Sequence, residues 1–561
     1  MKIWPVPFLV LSLIAGGPAF LDEAARAGLT AIFYCGDDTR KNYIIETLGT
    51  GVALFDFDND GLLDIFAVTG SRLDGFPKGE EPTNRLYRNK GNGTFEDVTA
   101  RSGLGRSGWG QGVCAGDLDN DGYEDLYVTY WGHDVLYRNR GDGTFEDITE
   151  RAGLGTPGKR WGTGCAFVDI DLDGKLDLFV ANYVQFDQTN TPTPDSPNAC
   201  TWKSEKVMCG PRGLKGGINR LWHNRSDKGT IRFSDLSKAA GVEAIGERYS
   251  LSVTTLDYDL DGWPDIYVAV DSQASILLHN NRNGTFTNIA MESGVAYSED
   301  GREQAGMGTA AADYDGDGLP DLVKTNFIDD TPNLYRNNGD GSFTETTFPA
   351  GLGTHTQFLG WGIGFLDYDN DSWPDIFMVN GHVYPGLKNV LYRQRRVLYR
   401  NLGNGKYRDI SKEAGPAVLA ESSARGLAVG DYNNDGAVDL VITNMNGRMN
   451  LLRNTNGSGG RSLLVKLVGQ KSNRSAIGAR VKLMVGGRIL TNEVRSGSTF
   501  LSQSDLRLHF GLGSATSVDA IEIAWPGGGR DRLTKVSADR IVTVKEGLGI
   551  TSAVMFAASK P

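Results

Sequence analysis

A nine-residue acidic pattern, D-x-D-x-D-G-x-x-D, occurs seven times in this chain and limits its fold more than any other feature. The first three copies are Asp56, Asp58, Asp60 and Asp64; Asp117, Asp119, Asp121 and Asp125; and Asp169, Asp171, Asp173 and Asp177. The next two are Asp257, Asp259, Asp261 and Asp265, then Asp313, Asp315, Asp317 and Asp321. The sixth is Asp367, Asp369, Asp371 and Asp375, with Ser372 in place of the glycine. The seventh is Asp431, Asn433, Asp435 and Asp439, where an asparagine lowers the charge by one. Oxygen ligands at positions 1, 3, 5 and 9 around a tight turn suit a hard cation, above all calcium, which takes six to eight oxygens in flexible geometry. Without a cation, carboxylates held so close repel. These residues are therefore candidate ligands for up to seven Ca2+ ions. The main-chain carbonyl of position 7 completes each set, since that position varies freely. The substituted sixth and seventh sites are expected to bind more weakly.

The pattern opens like an EF-hand loop but lacks its glutamate at position 12, where Ala67, Val128, Val180, Val268, Lys324, Met378 and Ile442 stand. Short apolar runs flank each loop on both sides, so each joins two strands of a hairpin. After every hairpin comes an LYRN-like strand, a turn such as GNGTF, and a D-[VI]-T-x-x-x-G-L phrase. Successive acidic loops lie 61, 52, 88, 56, 54 and 64 residues apart, which is blade length for a propeller. A ring of seven blades leaves few unpaired edges, whereas an open solenoid of hairpins leaves two. Glycine, 74 of 561 residues, fits a turn-dense all-β chain.

These loops resemble the FG-GAP/VCBS repeats of integrin-α-type propellers. The stretch NRSAIGARVKL, then RSGSTFLSQSDLRLHFGLG and IEIAWPGG, resembles the ASPIC/UnbV domain. The two in this order resemble the cartilage acidic protein family and its bacterial relatives. That resemblance implies a secreted calcium-binding propeller with an appended β domain, and no known reaction. The expected architecture is all-β: a seven-bladed integrin-α-like β-propeller over residues 20–458, with an insertion at 187–217. A small β-sandwich-like domain over 459–548 and a tail at 549–561 follow.

Residues 1–19 carry one lysine, an apolar run and a small-residue end, the pattern of a cleaved signal peptide. A secreted or periplasmic location follows, with no membrane span in the mature chain. Cys200 and Cys209 in the insertion are expected to form a local disulfide; Cys114 and Cys165 read as strand residues, and Cys35 has no assigned role. The net charge of −12 divides into about +7 for residues 461–548 and −21 for residues 20–460. Seven calcium ions would bring the ring to −7, so its acidity is largely ligand charge and does not indicate a basic partner. The basic C-terminal domain either has a solvated surface, or docks on the acidic ring or binds an anionic glycan.

The chain contains no G-x-S-x-G, H-E-x-x-H, G-x-x-x-x-G-K-[ST] or C-x-x-C motif. Its six histidines show no ligand spacing, and His382 in NGHVYPG reads as a turn residue. The W-G-x-G phrases at Trp109, Trp161 and Trp361 read first as inner-strand packing and secondarily as an aromatic sugar platform. The leading functional expectation is a scaffold that binds an extracellular protein or polysaccharide, with no nucleic acid involved. The alternative is an enzyme acting on polysaccharide or a small metabolite, which requires a pocket on the axis or under the insertion.

Overall fold

The computed structural model describes residues 19–227, 229–455 and 459–557. Apart from Ala19, the expected signal peptide lies outside them. Residues 20–454 form seven four-stranded antiparallel blades, each ordered from its first strand outward; five are separate sheets, and blades 2 and 3 are joined into one eight-stranded sheet where Arg160 and Trp161 pair with Gly132 and Trp131. In the first blade the strands are Val52–Phe55, Asp64–Ala67, Arg85–Asn89 and Phe95–Asp97. Every acidic loop joins the first strand of its blade to the second.

The seven first strands pack side by side, and the last, Ala424–Gly430, returns to the first, Val52–Phe55. This closed ring explains the W-G-x-G phrases. A Cβ on Gly112 would lie 2.5 Å from the Thr163 carbonyl of the next blade, and one on Gly164 would lie 2.5 Å from the Leu251 carbonyl of the blade after it. Only glycine permits such an approach. Trp161 and Trp361 are buried, and Trp109 is half-buried.

Ring closure could not be read from the repeats. The seventh blade takes its outer strand from the other end of the chain: Phe20–Asp22 pairs with Asn450–Asn454, Phe20 opposite Asn454. The blades are also latched by the asparagine of each LYRN-like strand. Asn139 Nδ2 donates to Phe57 O of the preceding blade at 2.8 Å, Asn337 to Tyr258 O at 2.7 Å, and Asn401 to Tyr314 O at 2.8 Å. Asn89 makes the same bond to Tyr432 O at 2.8 Å, across the point of closure.

The C-terminal domain is a pair of four-stranded sheets. One runs Leu508–Gly513, Arg461–Val468, Arg540–Lys545, Gly549–Met555; the other runs Arg488–Glu493, Arg480–Val485, Ser517–Ala524, Arg530–Ser537. Gly549–Met555, which the sequence reading placed in a tail, is therefore the last strand of the domain, paired with Arg540–Lys545. Its uncharged, partly β-branched GITSAVM sequence suits an edge position.

Between the two sheets the chain leaves the domain as a finger, residues 496–505, and enters the axis of the ring. Gln503 exchanges backbone bonds with Val52 and Leu54 of blade 1, at 2.9 and 3.0 Å. Leu501 O accepts the Val113 N–H of blade 2 at 3.2 Å. Ser496 takes the Phe167 N–H of blade 3 on its hydroxyl, and its carbonyl takes the Thr255 hydroxyl of blade 4. Thr499 exchanges two bonds with Thr309 of blade 5 and donates its hydroxyl to Leu427 O of blade 7 at 2.5 Å. Phe500, fully buried, packs edge-on against Trp361 of blade 6 with ring centroids 4.8 Å apart. One segment thus touches all seven blades.

The opposite end of the axis carries the insertion. Cys200 and Cys209 are disulfide-bonded, and the small hairpin they close presents Trp202 to His382 and Tyr384, with ring centroids 5.2 and 5.7 Å away. Lys203 pairs with Asp329 beside it. His382 is buried and accepts the Tyr384 N–H on Nδ1 at 3.1 Å. Burial, reinforced by Arg425, pushes its pKa down to about 3, so it is neutral.

Candidate metal centres

Each acidic loop folds by hydrogen bonds within its own nine residues. In the first, Asp56 accepts the N–H groups of Asp60 and Gly61, both at 3.0 Å, and Asp60 accepts that of Leu62 at 3.0 Å. Asp64 closes the turn by accepting the Phe57 N–H at 3.2 Å and the Asn89 N–H at 2.7 Å. Loops 2, 3, 4, 6 and 7 repeat this scheme, and in loop 5 Gly316 replaces the position-5 donor to Asp313. Position 4 adopts positive φ in every loop: Asn59, Asn120, Leu172, Leu260, Gly316, Asn370 and Asn434.

The expected ligands are brought together. Ligand atoms of Asp56, Asp58 and Asp64 lie within 4.8 Å of one another, as do those of Asp117, Asp119 and Asp125, and of Asp169, Asp171 and Asp173. Burial dominates their electrostatics. It pushes Asp64 and Asp257 up to about 8, and Asp117, Asp169, Asp265 and Asp431 to about 7. Asp125, Asp321, Asp367, Asp375 and Asp439 are also displaced well upward by burial.

The sequence reading missed the basic residue of the LYRN-like strand. Arg88 donates to Asp58 at 2.5 Å and to Asp60 at 2.8 Å, and Arg138, Arg336 and Arg400 hold positions 3 and 5 of their own loops in the same way. In blades 3 and 4 the residue is histidine: His223 Nδ1 lies 2.8 Å from Asp177 and His279 Nδ1 3.4 Å from Asp265. Loop 7, with Asn433 in place of an aspartate, has no such pairing, and Arg453 bonds Glu23 instead. The arginine takes the outer oxygen of position 3. Its inner oxygen, Oδ1 of Asp58, Asp119 and Asp369, is buried without a hydrogen-bond partner. In loops 1 and 2 that oxygen belongs to a residue clustered with two other carboxylates, and an orphaned buried carboxylate oxygen so placed fits an oxygen-seeking cation. The repeated R-N of LYRN was the available signal.

Ser372 keeps the loop-6 turn, donating its N–H to Asp367 at 2.7 Å, but does so at φ 74°. A non-glycine residue there costs about 1 kcal/mol. Ser372→Gly is therefore expected to stabilise the protein by about 1 kcal/mol and to tighten cation binding at loop 6. Thermal melting with and without calcium checks this.

The C-terminal domain sits on the acidic face of the ring. Arg480 donates to Gly318 O, Arg488 to Ser372 O at 3.2 Å, Arg507 to Asp431 O at 2.7 Å, and Lys466 lies 3.8 Å from Asp56. Its positive charge thus meets the loops directly. Cavities open along this seam, while the finger fills the axis and the insertion packs its aromatic hairpin against the ring.

Residues 56–128, 117–180, 257–324 and 389–442 match the FG-GAP-like repeat, and residues 469–550 match the ASPIC and UnbV domain. Cartilage acidic protein 1 of Mus musculus is 26% identical over 553 residues, covering 94% of this chain and 77% of its own. The Homo sapiens protein of that name is 25% identical over 516 residues, covering 88% of this chain and 70% of its own. Among solved structures, the BP39L lectin from Burkholderia pseudomallei aligns with 73% of this chain and 97% of its own at 10% identity and a TM-score of 0.43, too distant to bear on function. Among the described residues no helix is long and apolar enough to cross a membrane. The chain is an FG-GAP-repeat protein with a C-terminal ASPIC/UnbV domain, homologous over most of its length to proteins named cartilage acidic protein 1.

Proposed function

We propose that this protein is an exported scaffold whose seven acidic loops hold calcium and whose outer surfaces bind an extracellular protein or polysaccharide. The observation that carries the reading is the convergence of desolvated carboxylates in the acidic loops, with the position-3 oxygens of Asp58, Asp119 and Asp369 left unpartnered beneath their arginines. Positions 1, 3, 5 and 9 would supply the ligands, Asp56, Asp58, Asp60 and Asp64 in loop 1. The ion would supply charge neutralisation and rigidity at the hairpin, and its role is structural. Export fits a calcium-dependent fold and the Cys200–Cys209 disulfide. Removal of residues 1–19 would leave the closing strand Phe20–Asp22 intact.

Calorimetry and intact-mass measurement of the chelator-stripped protein test the reading. Six or seven calcium ions per chain are expected, and two or fewer would overturn it.

A further inference from the structure

Neighbouring acidic loops are tied together through the carbonyl of position 6. Asn59 donates to Gly122 O at 2.8 Å, Asn120 to Gly174 O at 3.0 Å, Asn370 to Gly436 O at 3.2 Å and Asn434 to Gly61 O at 2.9 Å. Loops 3, 4 and 5 lack the position-4 asparagine. Arg480 and Arg488 of the C-terminal domain take over at Gly318 O and Ser372 O. The carbonyl of Gly262 alone has no partner among the described residues. It lies where Leu172 and Leu260 stand in place of asparagine, at φ 59° and 60°. A leucine in the left-handed region is strained by about 1–2 kcal/mol, and Leu260 is 37% exposed. Asparagine tolerates that conformation better and would also bond the carbonyl, so neither the turn nor the latch accounts for leucine here.

The gap is a cavity of about 540 Å³, within the range of small-molecule sites. Leu172, Leu260, Pro264, Trp525 and Pro526 supply an apolar wall. Arg480, Lys482 and Arg530 also line it, and none of the three has an ion-pair partner among the described residues. Six carboxylates line it too, each already engaged. Asp169 and Asp257 accept their own loop N–H groups. Asp261, Glu493 and Glu522 pair with Arg282, Arg495 and Arg532. Asp531 accepts the Trp525 and Gly547 N–H groups.

We propose that this cavity between loops 3 and 4 and the C-terminal domain binds a small amphipathic anion, its apolar body against the leucines and Trp525 and its acidic group on Arg480, Lys482 and Arg530. The charge balance rests on the calcium reading above, because empty loops would repel an anion. The test uses the full-length protein in saturating calcium, with metal stoichiometry measured on the same sample, so that failure of the loops to bind calcium is seen separately. The probe is 8-anilinonaphthalene-1-sulfonate, titrated by fluorescence and calorimetry. One saturable site is expected, weakened at least tenfold by Leu172→Asn and by Lys482→Glu. The first of these restores the residue used in loops 1, 2, 6 and 7 and should leave the melting temperature unchanged or raised. Val554→Asn, in the separate cavity beside loops 1 and 2, should leave binding unchanged. Absence of saturable binding to calcium-loaded protein, or binding indifferent to both Leu172→Asn and Lys482→Glu, would overturn the proposal.

Discussion

Stripping calcium is expected to lower the melting temperature by more than about 10 °C and to reverse how stability depends on pH. At a hundred times its dissociation constant, one independent site contributes about 2.7 kcal/mol, and seven are proposed here. The pH effect follows from the carboxylates. Without cations Asp64 and Asp257 titrate near 8, and Asp117, Asp169, Asp265 and Asp431 near 7, all raised by burial. The same groups in the unfolded chain titrate at about 3.9. Between those limits the native state holds more protons than the unfolded one, so stability falls as pH rises. Chelated protein should therefore melt at a higher temperature at pH 5.5 than at pH 8. Calcium-loaded protein should show no such gain on acidification, because protons compete with the metal for the same oxygens. Differential scanning fluorimetry at both pH values, with chelator and with calcium, decides it. A midpoint indifferent to calcium would remove any structural role for the ions.

The second large effect is expected at the finger. Phe500 and Leu501 are buried where blades 2 and 6 meet the axis, and their neighbours Ser496, Thr499 and Gln503 bond the other five blades. A buried phenylalanine cut to alanine costs about 3–5 kcal/mol, and the two adjacent truncations will not simply add. The double variant Phe500→Ala, Leu501→Ala should lose about 5 kcal/mol and uncouple the ring from the C-terminal domain. Calorimetry of the parent protein is expected to show one cooperative transition and the variant two. Limited proteolysis of the variant should then release the ring and the C-terminal domain as separate fragments. A variant that still melts in a single, unshifted transition would mean that the finger lies in the axis without holding the two parts together.

The loops were legible because their chemistry is local. Asp56, Asp60 and Asp64 make most of their hydrogen bonds inside nine residues, so residue type and spacing carry the geometry. The NGT phrases are local in the same way: Asn92 accepts both the N–H and the hydroxyl of Thr94, which is turn chemistry. The arginine clamp was partly legible in the repeated LYRN strand, but its target lies across the sheet from it. Leucine at position 4 of loops 3 and 4 carried no signal, since nothing in the pattern says that this residue must hold the next loop.

By itself, then, the sequence determined the seven acidic turns, the hairpins they join and the blade period, and it made a disulfide in the insertion the expectation that the structure bears out. Each of these rests on contacts between residues close in the chain or on a pattern repeated along it. Tertiary structure alone decided that Phe20–Asp22 completes the last blade, that residues 496–505 fill the axis, and that Arg480 and Arg488 stand in for missing asparagines. Those pairings link residues up to about 450 positions apart, such as Val52 with Gln503. Their partners are main-chain carbonyls and N–H groups, which every residue type carries, so no side-chain pattern announces them.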